Sequence, residues 1–129
     1  MVDVNSIMLV DDNPIDLFVH ERLLIHNGLG KKIIKFASAI DALEHLKENL
    51  NNTSEIPDII LLDIMMPELT GFDFLKRYER FKQNLAKTPR IFMLSSSENE
   101  EDIKKVHENP LVEHLLQKPL LVATLQRYL

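Results

Sequence analysis

With 129 residues, 45% of them hydrophobic, the chain has the length and apolar content of one compact domain, residues 1–129, and a second domain does not fit. Its 15 Lys and Arg residues against 20 Asp and Glu residues give a formal net charge of −5, which argues against general attraction to nucleic acid or to an anionic membrane. The lack of cysteine excludes disulfides and thiolate chemistry, and the lack of a signal-peptide pattern or a run of ~18 apolar residues predicts a cytoplasmic protein that does not insert into a membrane.

Strands and helices are predicted to alternate along the chain. The strongest helix signals are Pro14, favoured at a first helical position, Gly28, which suits a left-handed stop, and Ser38, which caps the next helix. Residues 59–62 lack the polar and apolar alternation of a half-exposed strand, so they are predicted to lie in the middle of a parallel sheet. In chain order, the predicted elements are strand 6–10, helix 14–26, strand 32–36, helix 39–48, strand 59–62, helix 72–83, strand 90–94, helix 98–108, strand 112–116 and helix 121–129.

This alternation, with connections suited to crossovers, predicts an α/β fold with a parallel, doubly wound sheet. In such a sheet every strand-to-helix loop opens on the same edge, so the residues that follow strands one, three, four and five can converge. Those residues are Asp11, Asp12, Asp63, Ser95 and Lys118.

The converging residues indicate metal and phosphoryl chemistry. Carboxylates this close raise one another's pKa unless a cation neutralises them, and oxygen ligands without cysteine or paired histidines favour Mg²⁺. Lys118 and Ser95 are groups that stabilise phosphoryl oxygens, and a carboxylate such as Asp63 can accept a phosphoryl group as a nucleophile. Taken singly, Asp63 is equally compatible with a turn cap, and Lys118 is better explained as a solvated loop lysine.

The ordered set Asp11-Asp12, Asp63 with Pro67 and Gly71 shaping the loop after it, Ser95 and Lys118-Pro119 resembles the receiver domain of two-component response regulators over essentially the entire chain. The resemblance implies a five-stranded, flavodoxin-like sheet of order 2-1-3-4-5 with helices on both faces. It implies a stand-alone signalling domain, not an enzyme, that accepts a phosphoryl group from a histidine kinase or a histidine phosphotransfer protein. An unidentified downstream protein would be the other partner, with no nucleic acid involved.

The resemblance also assigns roles to single residues. The ligands of Mg²⁺ would be Asp11, Asp12, Asp63 and the backbone carbonyl of Met65. Lys118 would pair with Asp63 before transfer and with the phosphoryl group afterwards, while Ser95 would move toward the phosphoryl oxygen. Pro119 is expected to follow a cis peptide bond that fixes where the lysine points.

Two positions depart from the family pattern. Leu115 stands three residues before the lysine, where the family usually has a Tyr or Phe that swings inward when the hydroxyl group moves. Leucine offers no ring or hydroxyl group that a partner could recognise. Met65 stands two residues past Asp63, where many members have a polar residue, and Ser97 stands two residues past Ser95. In the family these two positions flank the path of the water that hydrolyses the aspartyl phosphate, so Met65 is predicted to slow this hydrolysis.

Helix 14–26 has apolar residues on more than one side. One line at helical spacing consists of Ile15, Val19 and Leu23, with Phe18 beside it. A second group consists of Leu17, His20 and Leu24, which either widens the core face or, because the family docks phosphodonors on this helix, contacts the donor. The histidines, which have no metal-ligand spacing and are predicted to be surface or boundary residues, are His20, His26, His45, His107 and His114.

Two other classes of function stay open. A pseudo-receiver would bind partners without phosphorylation. A Mg²⁺-dependent hydrolase acting through an aspartyl phosphate would need a second acid/base carboxylate near Asp63, and Met65 stands two residues after it instead. For a receiver, the sequence does not choose between chemotaxis control and a phosphorelay shuttle.

Overall fold

The protein folds as one five-stranded parallel sheet of order β2-β1-β3-β4-β5, as predicted. The structure is a computed structural model and describes residues 4–96 and 99–129, so Ser97 and the predicted helix start at Glu98 lie outside the described residues. The strands are β1 (Ser6–Val10), β2 (Lys32–Phe36), β3 (Ile59–Asp63), β4 (Arg90–Ser95) and β5 (Val112–Gln117). The helices are α1 (Pro14–His26), α2 (Ala39–Glu48), α3 (Gly71–Glu79), α4 (Glu100–Glu108) and α5 (Val122–Tyr128).

Strands β1 and β3 lie inside the sheet, and every residue of both strands is buried. Alternate residues of β1 enter opposite hydrophobic clusters: Met8 packs with the cluster that includes Phe74 of α3, and Ile7 with the cluster that includes Leu24 of α1 and Leu125 of α5. Each such side chain stabilises the fold by about 1.5–3 kcal/mol, which explains why both strands are apolar throughout. Within the described ranges, no helix has the length and apolar character that a membrane span requires.

Polar side chains hold the amino-terminal edge of the sheet together. Asp58, just before β3, accepts hydrogen bonds from two backbone N–H groups at the start of β1 and from Lys87 Nζ, at 2.9–3.1 Å. Arg90, the first residue of β4, binds both carboxylate oxygens of Glu113 on β5 at 2.7 and 2.8 Å and also donates to the backbone carbonyl of Tyr128. The edge opposite the predicted site is therefore fixed by charge-assisted hydrogen bonds.

The prediction of a continuous helix over 72–83 is wrong at its carboxyl end. Helix α3 ends at Glu79, and a short 3-10 turn follows at Lys82–Asn84. Between them Phe81 leaves the helical conformation, with φ −130° and ψ 0°, and its ring packs edge-on against Tyr78 with centroids 5.7 Å apart. Burial of this ring explains why the helix stops there.

Of the two alternatives for α1, the structure supports the wider core face, while part of the line of Ile15, Val19 and Leu23 is exposed. Ile15, Phe18 and Ile25 are 70%, 61% and 51% exposed, whereas Leu24 is fully buried. Leu17 is half-buried and packs against the core. Because apolar residues surround this helix, its periodicity does not single out the side that packs on the sheet.

His20 is buried, so the prediction that it lies at the surface or boundary is wrong. Its Nε2 atom accepts a hydrogen bond from the backbone N–H of Leu120 at 3.3 Å. Burial is the largest influence and lowers the pKa of His20, against the opposing effect of Asp16 and Asp11, so the fold favours the neutral form of the ring. Neither His20 nor Leu24 is available to contact a phosphodonor, which corrects the docking hypothesis for both residues.

Candidate functional site

Three aspartates meet at the carboxyl edge of the sheet, as the strand order predicts. Asp11 and Asp12 follow β1, and Asp63 ends β3, the strand beside it. One carboxylate oxygen from each of the three lies within 4.8 Å of the others. Asp11 and Asp63 are buried, whereas Asp12 is exposed.

Lys118 reaches these carboxylates from the loop after β5. Its Nζ atom lies 2.8 Å from Asp11 Oδ2, 3.0 Å from Asp16 Oδ2 and 3.4 Å from Asp63 Oδ2. The predicted cis peptide bond between Lys118 and Pro119 is confirmed. The backbone N–H of Lys118 also donates to the Ser95 carbonyl at 2.9 Å, which fixes where the lysine side chain starts.

Asp16 is the site residue that sequence reasoning missed. It stands in the first turn of α1, where an acidic residue is already explained by the helix dipole. Its carboxylate nevertheless contacts Lys118, which is 102 residues away in the chain. The contact depends on the loop after β5 coming beside the first turn of α1, and no local spacing in the sequence marks it.

This edge of the sheet carries more negative than positive charge. Burial raises the pKa of Asp63 to about 7, with a further contribution from the charge of Asp11, and Lys118 and the Met65 backbone N–H only partly offset this. Burial alone would lower the pKa of Lys118, but its carboxylate partners Asp11, Asp16 and Asp63 outweigh burial and raise the pKa above its usual range. Lys118 is therefore charged, and the carboxylates still lack enough positive charge nearby.

The residues present fit a hard divalent cation. Asp11 Oδ2 is fully buried, and its charged partner Lys118 Nζ, 2.8 Å away, is shared with Asp16 and Asp63. A buried anionic oxygen in this state is stabilised by a cation, and three carboxylates on neighbouring loops supply the oxygen ligands that Mg²⁺ prefers.

The remaining predicted residues lie around this cluster. Ser95 is buried at the end of β4, next to β3, where Asp63 is paired in register with Leu94. Met65 is 62% exposed and lies beside Asp63, whose carboxylate accepts a hydrogen bond from the Met65 backbone N–H. Leu115 is half-buried and packs against the cluster that contains Phe74.

Pro67 and Gly71 shape the loop that follows Asp63. The Pro67 carbonyl accepts a hydrogen bond from the Leu69 N–H at 2.7 Å, and the Gly71 N–H donates to the Ile64 carbonyl at 2.9 Å. A side chain at Gly71 would collide with the backbone carbonyl oxygen of Asp63, so the start of α3 packs directly against the backbone of the candidate phosphoacceptor.

Comparison with known proteins agrees with this arrangement. The two-component response regulator ORR1 of rice (Oryza sativa subsp. japonica) is 33% identical over 126 residues, and the match covers 96% of this chain. It covers 53% of ORR1, so the chain spans about half the length of that relative.

Solved structures share the fold at similar identity. A response regulator receiver protein from Dyadobacter fermentans DSM 18053 matches with a TM-score of 0.83 and 35% identity, over 95% of this chain and 93% of that chain. The Vibrio cholerae chemotaxis protein CheY4 matches with a TM-score of 0.73 and 26% identity, over 98% and 99% of the two chains. A family model described as the response regulator receiver domain matches residues 7–129. The chain therefore belongs to the family of response regulator receiver domains.

Proposed function

We propose that Asp63 accepts a phosphoryl group from a phosphohistidine on a histidine kinase or a histidine phosphotransfer protein. The observation that carries this proposal is the position of Asp63, with Asp11 and Asp12 within 4.8 Å and the Lys118 ammonium group at 3.4 Å. The phosphorylated domain would then act by docking on a downstream protein or by passing its phosphoryl group onward.

The chemical step is a transfer between two side chains. A carboxylate oxygen of Asp63 attacks the phosphorus atom, the bond from phosphorus to the donor nitrogen breaks, and the imidazole keeps the electron pair. Lys118 turns from the Asp63 carboxylate to an oxygen of the phosphoryl group, and the Ser95 hydroxyl donates to another. Both groups start at this edge of the sheet, so little reorganisation is required.

The residues proposed to hold Mg²⁺ are Asp11, Asp12, Asp63 and the backbone carbonyl of Met65. When bound, the ion supplies positive charge that neutralises the carboxylates and the phosphoryl oxygens. Asp12 is the exposed member of the cluster, and it offers the route by which the ion enters.

The direct test is phosphorylation by acetyl phosphate, followed by intact-mass measurement. With Mg²⁺ present, the protein is expected to gain the mass of one phosphoryl group within minutes to hours, and with excess EDTA the gain should be lost. A protein whose mass never changes would instead support the pseudo-receiver alternative. Steady release of phosphate from a simple phosphomonoester would support the hydrolase alternative.

Replacing Met65 with asparagine is expected to accelerate hydrolysis of the aspartyl phosphate. Met65 is exposed beside Asp63 and offers no hydrogen bond from its side chain to an incoming water. Ordering a water costs up to about 2 kcal/mol, so a side chain that binds it should shorten the phosphoryl lifetime severalfold. The decay of purified phosphoprotein, followed by phosphate-affinity electrophoresis, measures this, and equal or slower decay in Met65→Asn would contradict the prediction.

A further inference from the structure

We propose that Asp16 is a positioning residue for Lys118 during phosphoryl transfer. This inference rests on the proposed function, because Lys118 there contacts the phosphoryl group. Asp16 Oδ2 accepts a hydrogen bond from Lys118 Nζ at 3.0 Å, a contact that joins the first turn of α1 to the loop after β5.

The Asp16 carboxylate is not engaged in capping its own helix. The Asn13 side chain already accepts hydrogen bonds from the backbone N–H groups of Ile15 at 2.9 Å and Asp16 at 3.3 Å. In a reciprocal capping box the Asp16 carboxylate would accept the Asn13 N–H, but this N–H donates to Asp11 Oδ1 at 2.9 Å. The Asn13 cap fixes the backbone of Asp16, and the side chain points toward Lys118.

Of the three carboxylate partners of Lys118, Asp16 is the one that is neither a proposed metal ligand nor the phosphoacceptor. An ammonium group has three donors, and here three carboxylates, Asp11, Asp16 and Asp63, lie at 2.8, 3.0 and 3.4 Å. Asp11 and Asp63 are both proposed metal ligands, and Asp63 also becomes phosphorylated. Asp16 lies outside the carboxylate cluster, so we expect it to keep its contact with Lys118 throughout the cycle.

A fixed partner matters because lysine carries its charge on a flexible stem of four carbon atoms. Ordering such a side chain during the reaction adds to the barrier, and a contact that orders it beforehand lowers the barrier. The Asp16 side chain is 32% exposed, so its effect is that of a partly screened ion pair. We expect Asp16→Ala to slow phosphorylation by acetyl phosphate at saturating Mg²⁺ by about fivefold. Asp16→Asn keeps an acceptor oxygen, so its rate should lie between those of the unmutated protein and Asp16→Ala.

A double-mutant cycle separates positioning from a general structural effect. In a Lys118→Ala background, which is itself much slower, Asp16→Ala is expected to cause no further loss of rate. Glu21→Gln is the matched control, because Glu21 lies on the same helix and pairs with Lys35 at 2.9 Å, away from the site. This control should phosphorylate at the unchanged rate.

The second readout needs no phosphorylation. The side-chain ¹⁵N–¹H NMR signal of the Lys118 ammonium group in metal-free protein is expected to broaden or vanish in Asp16→Ala and to persist in Glu21→Gln. An unchanged signal, an unchanged rate, or an equal rate loss with and without Lys118 would each overturn the inference. If the unmutated protein never gains phosphate, the proposed function fails, and the NMR comparison still decides whether Asp16 positions Lys118.

Discussion

Replacing Asp63 with asparagine is expected to abolish phosphorylation by acetyl phosphate and, in the metal-free protein, to stabilise the fold. The first effect follows because the amide lacks the nucleophilic carboxylate oxygen. The second follows because burial and the charge of Asp11 raise the pKa of Asp63 to about 7, so its ionised form is unfavourable at neutral pH. A neutral side chain of the same shape should increase the free energy of unfolding by about 1 kcal/mol or more.

Asp58→Asn is the matched control at the opposite edge of the sheet. Burial would raise the pKa of Asp58, but its hydrogen bonds from Lys87, Asn5 and Ser6 outweigh burial and lower it. Its charge therefore stabilises the fold at neutral pH, and this stabilisation is lost as the pH falls through the lowered pKa. Asp58→Asn should lower the free energy of unfolding by about 1–2 kcal/mol and leave phosphorylation intact.

Urea denaturation in EDTA at pH 8, together with intact-mass measurement after acetyl phosphate treatment, checks both variants. The two substitutions should move stability in opposite directions, while only Asp63→Asn removes the mass gain. Destabilisation by Asp63→Asn would show that the carboxylate is well compensated in the folded state. A residual mass gain in that variant would place the phosphoryl group on another side chain.

Replacing Gly71 with alanine is expected to destabilise the protein by about 2–3 kcal/mol, the upper part of the range for overpacking in a tight interior. The added Cβ would collide with the backbone carbonyl oxygen of Asp63 and lie 2.6 Å from Met93 Cε. Because the colliding backbone belongs to the phosphoacceptor, the loop must shift, and phosphorylation should slow as well. Thermal and urea unfolding measure the first effect and the rate of mass gain the second.

Gly28→Asn separates this steric effect from the general effect of losing a glycine. Gly28 has a positive φ of 71°, a Cβ atom added there would have no neighbour within 4 Å, and asparagine tolerates this conformation. This variant should therefore change stability by less than about 1 kcal/mol and leave the rate of phosphorylation unchanged. Equal losses in Gly71→Ala and Gly28→Asn would contradict the steric explanation.

The parallel sheet and the convergence of its loop residues could be predicted from the sequence, because continuous apolar runs mark buried parallel strands and their loops share one edge. The strand order followed from the resemblance to receiver domains. Helix α1 shows the limit of such reasoning. Its buried face makes long-range contacts, with Leu24 in one apolar cluster with Leu125 and His20 accepting a hydrogen bond from the Leu120 N–H, and no local pattern encodes them.

Asp16 and the end of α3 were missed for related reasons. The helix dipole alone explains an acidic residue in a first helical turn, so the sequence gives no reason to expect the contact of Asp16 with Lys118, 102 residues away. At the end of α3, helical propensity continues past Glu79, but the burial of Phe81 against Tyr78 outweighs it. The contact of Asp16 thus depends on the tertiary fold, and the end of α3 on the burial of Phe81 in the core.

The hydrogen bonds of Arg90 distinguish the two ends of β4 and β5. One guanidinium group ties the first residues of β4 and β5 and the end of α5 to each other, far from the ends where Ser95 and Lys118 lie. These strands are therefore fixed by charge-assisted hydrogen bonds at their first residues, and the residues proposed to contact the phosphoryl group lie at their other ends.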